Sequence, residues 1–197
     1  MGHTSARATR SALSTSRQLL ALFAGLWVSA GAWAATFEVS DTATHGDWQT
    51  ATLTRQAGGE QERHFRAIET VSYDDASLSV NATPGVCDLP RLEMRVAFEG
   101  QDRQAATGHV PARLRVDDKT LHSAVAEFFT EPANDGFYVH FYLDDQRGLL
   151  DDMDGGEQIF LGFEQGEGEP WYMIFSLDGA GAAMDSAQLR CQAALLR

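Results

Sequence analysis

The stretch LEMRVAFEG, residues 92–100, alternates between apolar and mostly charged side chains, with Ala97 as the exception. The apolar positions are Leu92, Met94, Val96 and Phe98, and the charged ones are Glu93, Arg95 and Glu99. Successive side chains of a β-strand point to opposite faces, so this period of two predicts a strand with one buried and one solvated face. Such strands are typical of antiparallel sheets, and the stretch therefore predicts a mainly β protein.

The same alternation continues on both sides of this strand. DWQTATLTRQ (47–56) and HFRAIETV (64–71) flank Gly58-Gly59 and predict a hairpin. ARLRV (112–116) and TLHSAVAEFF (120–129) predict a second hairpin across a polar turn. ASLSV (76–80) predicts a short strand, whereas QIFLGF (158–163) and WYMIFSL (171–177) are apolar on both faces and predict central strands.

The segment GFYVHFYLD, residues 136–144, predicts a strand with one aromatic and polar face. Tyr138, His140 and Tyr142 fall on that face and are a candidate binding strip. Apolar sheet faces usually pack against another element, so we expect the C-terminal helix to cover these side chains.

Four acidic residues surround a Gly-Gly pair in RGLLDDMDGGEQIFLGF, residues 147–163. With Gly155 at the sixth position of an EF-hand loop, the first and twelfth ligand positions fall on Leu150 and Leu161. The stretch therefore predicts a short helix over 148–153 that ends at the glycines, and it predicts no metal site.

After Asp178 the period changes to that of a helix. An inner stripe of mostly small residues comprises Ala180, Ala183, Met184, Ala187, Cys191, Ala194 and Leu195. Small side chains allow a helix to lie close to a sheet. The predicted fold is thus an antiparallel sheet, sandwich or partly closed barrel, with a short helix near 148–153 and a C-terminal helix packed on the sheet.

The chain contains two cysteines, Cys87 and Cys191. In an exported protein two cysteines most simply form one disulfide, and neither has a second Cys or a His at zinc-ligand spacing. We therefore predict a Cys87–Cys191 bond that holds the last helix to the sheet.

The N-terminal region has the three parts of a secretory signal peptide. Three arginines precede the apolar run Leu19–Ala30, which is followed by Ala32-Trp33-Ala34. A membrane anchor is the rival interpretation, but spanning needs about 20 apolar residues. We predict cleavage after Ala34, no stable membrane anchor afterwards, and a single β-rich domain over 35–197 in the periplasm or outside the cell.

The formal net charge is −13, with 28 acidic residues against 15 arginines and lysines. All the acidic residues follow residue 34. Such a surface repels phosphate backbones, so nucleic acid is excluded as a partner. The charge indicates either simple solubility, including in a salty habitat, or a cationic partner.

No catalytic motif is present. There is no Gly-x-Ser-x-Gly, no His-x-x-x-His and no His-Glu-x-x-His, and the glycines of GFEQGEGEP (162–170) do not form a phosphate loop. We therefore expect no catalytic residues, no metal and no cofactor. A buried histidine–carboxylate cluster in a cleft would favour an enzyme, and a flat acidic surface would favour binding.

The succession of segments resembles a group of bacterial exported proteins. HGDW (45–48) and the Thr-rich strand after it resemble the start of the invasion-associated locus B family. RLRVDD (113–118), FYVHFYLDD (137–145) and WYMIFSLDGAGAAM (171–184), in that order, resemble both that family and the periplasmic type VI secretion accessory proteins VasI and TagO. Phe175, Leu177 and Gly179 match a Phe-x-Leu-x-Gly pattern that leads into an Ala-rich helix. The locus B pattern has further cysteines near its first strand, which this chain lacks.

The resemblance implies a periplasmic β-rich domain with an accessory or binding role and no catalytic residues. We therefore expect a non-enzymatic envelope protein that serves secretion, assembly or host interaction through an unidentified protein partner. Two alternatives remain open: an acidic inhibitor of a cationic hydrolase such as a lysozyme, and a hydrolase with an unrecognised site.

Overall fold

A computed structural model describes residues 37–98, 107–131, 135–164 and 171–196. The predicted signal peptide and its cleavage point lie outside these residues and stay predictions, and most of GFEQGEGEP also lies outside them.

The described chain forms ten strands and two helices. In chain order they are β1 (Glu38–His45), β2 (Trp48–Ala57), β3 (Glu60–Glu69), β4 (Ala76–Ala82), β5 (Arg91–Ala97), β6 (Gly108–Val116), β7 (Leu121–Phe129), β8 (Gly136–Leu143), α1 (Gln146–Asp154), β9 (Gln158–Phe163), β10 (Trp171–Ser176) and α2 (Ala180–Ala194). The strands make one open antiparallel sheet in the order β1-β2-β3-β4-β5-β8-β7-β6-β9-β10. The predicted mainly β class and both predicted hairpins are confirmed.

One face of the sheet is apolar along almost its whole width. Residues directly opposite each other in neighbouring strands share a face, and Leu78 pairs with Met94, which in turn pairs with Val139. Leu114 and Leu161 are paired in the other half of the sheet. All five are fully buried in one common core, so this inner face holds the two halves of the sheet together.

Helix α1 forms where the short helix is predicted. Asp145 caps it, because its Oδ1 accepts a hydrogen bond of 2.9 Å from the Gly148 amide. Leu149 and Met153 are buried in the core, and the helix ends at Gly155.

Helix α2 packs on the inner face of β2, β3 and β4. Ala180, Ala183, Ala187 and Cys191 are its buried stripe, as predicted. Leu195 is exposed, contrary to the predicted stripe, because the helix ends at Ala194 before a further turn can form.

The predicted Cys87–Cys191 disulfide is present, with the two Cα atoms 5.9 Å apart. Both cysteines are buried in the core. The bond ties the last turn of α2 to the loop between β4 and β5.

The two edges of the sheet differ from the sequence prediction. WYMIFSL was predicted as a central strand, but β10 is an edge strand whose Tyr172 and Ile174 are exposed. Two of its edge amides, those of Ile174 and Ser176, donate to Tyr73 Oη and Ser72 Oγ at 2.9 and 3.0 Å. Side chains therefore provide hydrogen-bond acceptors where a further strand would have provided carbonyls.

The opposite edge is β1, which was not predicted from the sequence. Its side chains are largely exposed, so no apolar alternation marks it. Its pairing with β2 shifts register between Ser40 and Ala43, where Asp41 has a φ of 51°. This bulge interrupts the edge.

Candidate groove on the outer face

A groove of about 560 Å³ lies on the outer face of the sheet, opposite the face that α2 covers. Strands β1 to β5, strands β7 and β8 and the loop before β5 contribute its walls. The lining residues are Phe37, Val39, Leu53, Arg55, His64, Arg66, Asn81, Thr83, Val86, Leu89, Arg91, Glu93, Phe129, Glu131, Tyr138 and His140. The volume lies within the range of small-molecule sites.

Glu93 is at the centre of the polar floor of this groove. It is only 8% exposed, and its Oε1 accepts a hydrogen bond of 2.9 Å from Arg66 Nη2. Its Oε2 lies 2.9 Å from His140 Nε2, and an ionised carboxylate only accepts, so the histidine donates. Arg66 also donates from Nε to Asn81 Oδ1 at 2.6 Å.

Strand register explains how these side chains meet. Arg66 is directly opposite Asn81, and Glu93 is directly opposite His140. Each pair therefore shares the outer face across one strand gap, and the Arg66 guanidinium spans the next gap to reach Glu93.

The surroundings of Glu93 favour its ionised form. Burial by itself would raise the pKa of this carboxyl, but the hydrogen bond from His140 and the positive charges of Arg66, His140 and Arg91 outweigh burial. The net effect is a pKa below the usual value, so Glu93 is a fixed negative charge and accepts both donors near neutral pH.

His64 lies on the next strand of the same floor. Its Nδ1 is 2.9 Å from Thr83 Oγ1. Burial lowers the pKa of His64, the charges of Arg55, Arg66 and Arg91 lower it further, and Glu62 opposes them. His64 is therefore neutral near neutral pH and can exchange a hydrogen bond with Thr83.

The rim of the groove is apolar and aromatic. Val39, Val86 and Leu89 are 59%, 52% and 69% exposed. The Arg55 guanidinium lies over the Phe37 ring, 4.9 Å from its centroid, and Phe129 stacks on Tyr138 at a centroid distance of 5.4 Å. The groove thus combines a charged floor with exposed apolar walls.

The charge of the lining is opposite to that of the whole chain. Three arginines face two glutamates there, a formal charge of 3 − 2 = +1, in a protein with a net charge of −13. Arg55 pairs with Glu62, and Arg66 pairs with Glu93. Within the described ranges, the Arg91 side chain has no hydrogen bond or ion pair, and it is exposed.

The predicted strip of Tyr138, His140 and Tyr142 is divided by the structure. Tyr138 and His140 line the groove, whereas Tyr142 is exposed outside it. The Tyr142 hydroxyl donates to Glu127 Oε2 at 2.6 Å, and this hydrogen bond raises the pKa of Tyr142. The expectation that the C-terminal helix covers the strip is wrong, because the small residues of α2 pack on the apolar inner face instead.

The principal residues of the groove floor were not predicted from the sequence. Arg66, Asn81 and Glu93 occupy ordinary outward positions of three alternating strands. The sequence does show that polar side chains able to form hydrogen bonds recur at those outward positions, and this pattern could have indicated a polar surface. Only the pairing register brings them together.

One acidic residue of the stretch at 147–163, Asp152, makes structural contacts. Asp152 Oδ2 lies 2.9 Å from Nε2 of the buried His122, and the Asp152 carbonyl accepts from Lys119 Nζ at 2.6 Å. These contacts attach α1 to the β6–β7 hairpin. In the described part of the chain, no three His, Cys, Asp or Glu side chains converge as a metal site would require.

Comparison with solved structures returns invasion associated protein B from Bartonella henselae. It is 18% identical, the match covers 80% of this chain and 100% of that chain, and the TM-score is 0.45. That protein carries the name of the family that the sequence resembles. The VasI and TagO part of the resemblance stays a prediction.

No protein-family model matches the chain, and no curated protein matches it at a significant level. None of the helices in the described ranges is long and apolar enough to cross a membrane.

Proposed function

We propose that this is an exported, non-enzymatic envelope protein that binds an anionic group of its partner in the outer-face groove. One observation carries the proposal: the groove gathers arginines and histidines on a chain that is otherwise strongly acidic. The N-terminal signal-peptide pattern supports export.

The state of Glu93 supports binding rather than catalysis. A general acid or base needs a pKa near the working pH, whereas the surroundings of Glu93 lower its pKa. Both its oxygens are also engaged, by Arg66 and His140. This carboxylate therefore orients two donors and is not poised to transfer a proton.

A titration with sodium acetate, followed by amide NMR at constant ionic strength, tests the proposal. We expect saturable shifts at groove residues such as Asn81 and His140. Arg91→Gln should reduce these shifts, because the Arg91 guanidinium has no side-chain partner among the described residues. Arg115→Gln is the matched control, since Arg115 is an exposed arginine outside the groove lining. Shifts that are absent, or that both variants reduce equally, would contradict the proposal.

A hydrolase is the second candidate, because folding does assemble histidine and carboxylate side chains in a cleft. His64 and Thr83 are at hydrogen-bond distance, so neutral His64 could accept the Thr83 proton as the oxygen attacks an ester carbonyl. Turnover of p-nitrophenyl acetate that both Thr83→Ala and His64→Gln abolish would favour this candidate. Turnover that Thr83→Ala leaves unchanged would exclude it.

A further inference from the structure

We propose that the ligand of the groove is an amphipathic monocarboxylate, with its carboxylate on Arg91 and its hydrocarbon part along the rim residues Val86 and Leu89. This inference rests on the proposed binding function and names the chemical class of the ligand.

Arg91 is the cation that is available to a ligand. Arg55 is held by Glu62, and Arg66 is held by Asn81 and Glu93. Arg91 is directly opposite Asn81 on the outer face. None of the described residues forms a hydrogen bond or ion pair with its side chain. A guanidinium can bind a carboxylate through two parallel hydrogen bonds, so Arg91 is suited to this group.

Two residues of the apolar rim belong to the loop that leads into Arg91. Leu89 is two residues before Arg91 in the chain, and it is the most exposed of the three rim residues at 69%. Val86 belongs to the same loop, whereas Val39 is on β1, four strands from Arg91. Covering these side chains would remove apolar surface from water, which favours a ligand with a hydrocarbon part.

The remaining charges limit the ligand to about one negative charge. Glu93 stays ionised on the floor and Glu131 lies on the wall, so each further negative charge on a ligand meets a carboxylate. The net charge of −13 adds a long-range repulsion that grows with ligand charge. A polyanion is therefore disfavoured, and a single carboxylate is favoured.

Calorimetry with sodium octanoate below its micelle concentration tests the proposal. We expect saturable one-site binding to the chain that begins at Ala35, with acetate binding at least tenfold more weakly because it has no hydrocarbon part. Octanedioate should also bind more weakly than octanoate, because its second carboxylate adds charge and cannot lie on the apolar rim.

Two exposed positions separate the charge from the apolar contact. Arg91→Gln should weaken octanoate binding about tenfold or more, as expected for the loss of one charge-assisted contact. Leu89→Ser should weaken it by a smaller factor, and Arg115→Gln should leave it unchanged. Circular dichroism checks that each variant is folded.

The outcomes distinguish this inference from the function on which it rests. Octanoate binding that Arg91→Gln leaves unchanged would overturn the inference, and so would equal binding of acetate. If octanoate does not bind while acetate still shifts the groove resonances, the amphipathic ligand class is wrong and the binding function stands. If neither ligand binds, both proposals fail.

Discussion

The two faces of strands β3, β4 and β5 share one backbone, but the inner side chains are apolar and the outer ones are polar or charged. On the inner face, Ala67, Val80 and Leu92 are buried and contact the core. On the outer face, Arg66, Asn81 and Glu93 form a hydrogen-bonded network at the floor of an open groove. The period of two separates these sets residue by residue, so one sheet provides both the stability of the fold and its candidate binding surface.

Different interactions fix the side-chain positions on the two faces. Inner residues are fixed by close packing, which tolerates few changes in volume. The outer residues are fixed by hydrogen bonds to one another, and Glu93 is the acceptor that Arg66 and His140 share. Changes on the inner face should therefore act mainly on stability, and changes on the outer face should act mainly on binding and its pH dependence.

Loss of the disulfide should produce the largest effect. The pair Cys87→Ala and Cys191→Ala removes the covalent link between α2 and the β4–β5 loop. We expect a loss of about 4 kcal/mol in the free energy of unfolding, since a closed loop of roughly 100 residues restricts the unfolded chain strongly. Urea unfolding with and without a reductant, on the wild-type chain and on the variant, measures it. An unchanged midpoint in the variant would contradict the expectation.

Two neighbours on β5 test the difference between the faces directly. Met94 is fully buried, so Met94→Ala should reduce the free energy of unfolding by about 3 kcal/mol through lost contacts and a cavity. Arg95 points to the outer face and pairs with the exposed Asp135, so Arg95→Ala should cost less than about 1 kcal/mol. Thermal and urea unfolding compare them, and equal losses would show that the two faces do not differ as described.

The acid dependence of stability should depend on Glu93. Its pKa in the folded protein lies below the usual 4.5, so the unfolded chain takes up the proton first as the pH falls. The stabilisation is present above about pH 4.5 and is lost as the pH falls through the folded pKa. Glu93→Gln should therefore make the free energy of unfolding less dependent on pH in this range. Urea unfolding at several pH values between 6 and 3 measures this, with Glu131→Gln as an exposed control.

Calcium should have the smallest effect. The acidic stretch at 147–163 places Leu150 and Leu161 where an EF-hand needs ligands, and Asp152 is engaged by His122 and Lys119. Calcium at millimolar concentration should therefore leave the thermal midpoint nearly unchanged. A saturable rise that Asp152→Asn abolishes would show that the stretch binds the ion.

The periodic parts of the fold could be predicted from the sequence. LEMRVAFEG and GFYVHFYLD alternate because each strand has one buried face, and α2 has the stripe of small residues that its close packing requires. Strand β1 was missed because almost none of its side chains is buried. β10 was misplaced because its exposed Tyr172 and Ile174 resemble the apolar residues of a central strand.

The candidate site could be predicted only in part. Tyr138 and His140 were found because aromatic and polar residues are unusual together on one strand face. Arg66, Asn81 and Glu93 come from β3, β4 and β5, and their meeting depends on strand pairing. Pairing register depends on residues that are far apart in the chain, so it cannot be predicted from a local sequence pattern.

The contacts at the two sheet edges have a consequence for self-association. A strand whose edge amides and carbonyls are unpaired can form hydrogen bonds with a strand of a second molecule. Such pairing leads to fibrils or swapped dimers. In this protein the side chains of Ser72 and Tyr73 accept hydrogen bonds from two edge amides of β10. At the other edge, the bulge at Asp41 bends β1 away from the straight geometry that pairing needs. Ser72→Ala together with Tyr73→Phe should therefore leave the core intact and still increase aggregation in concentrated solution.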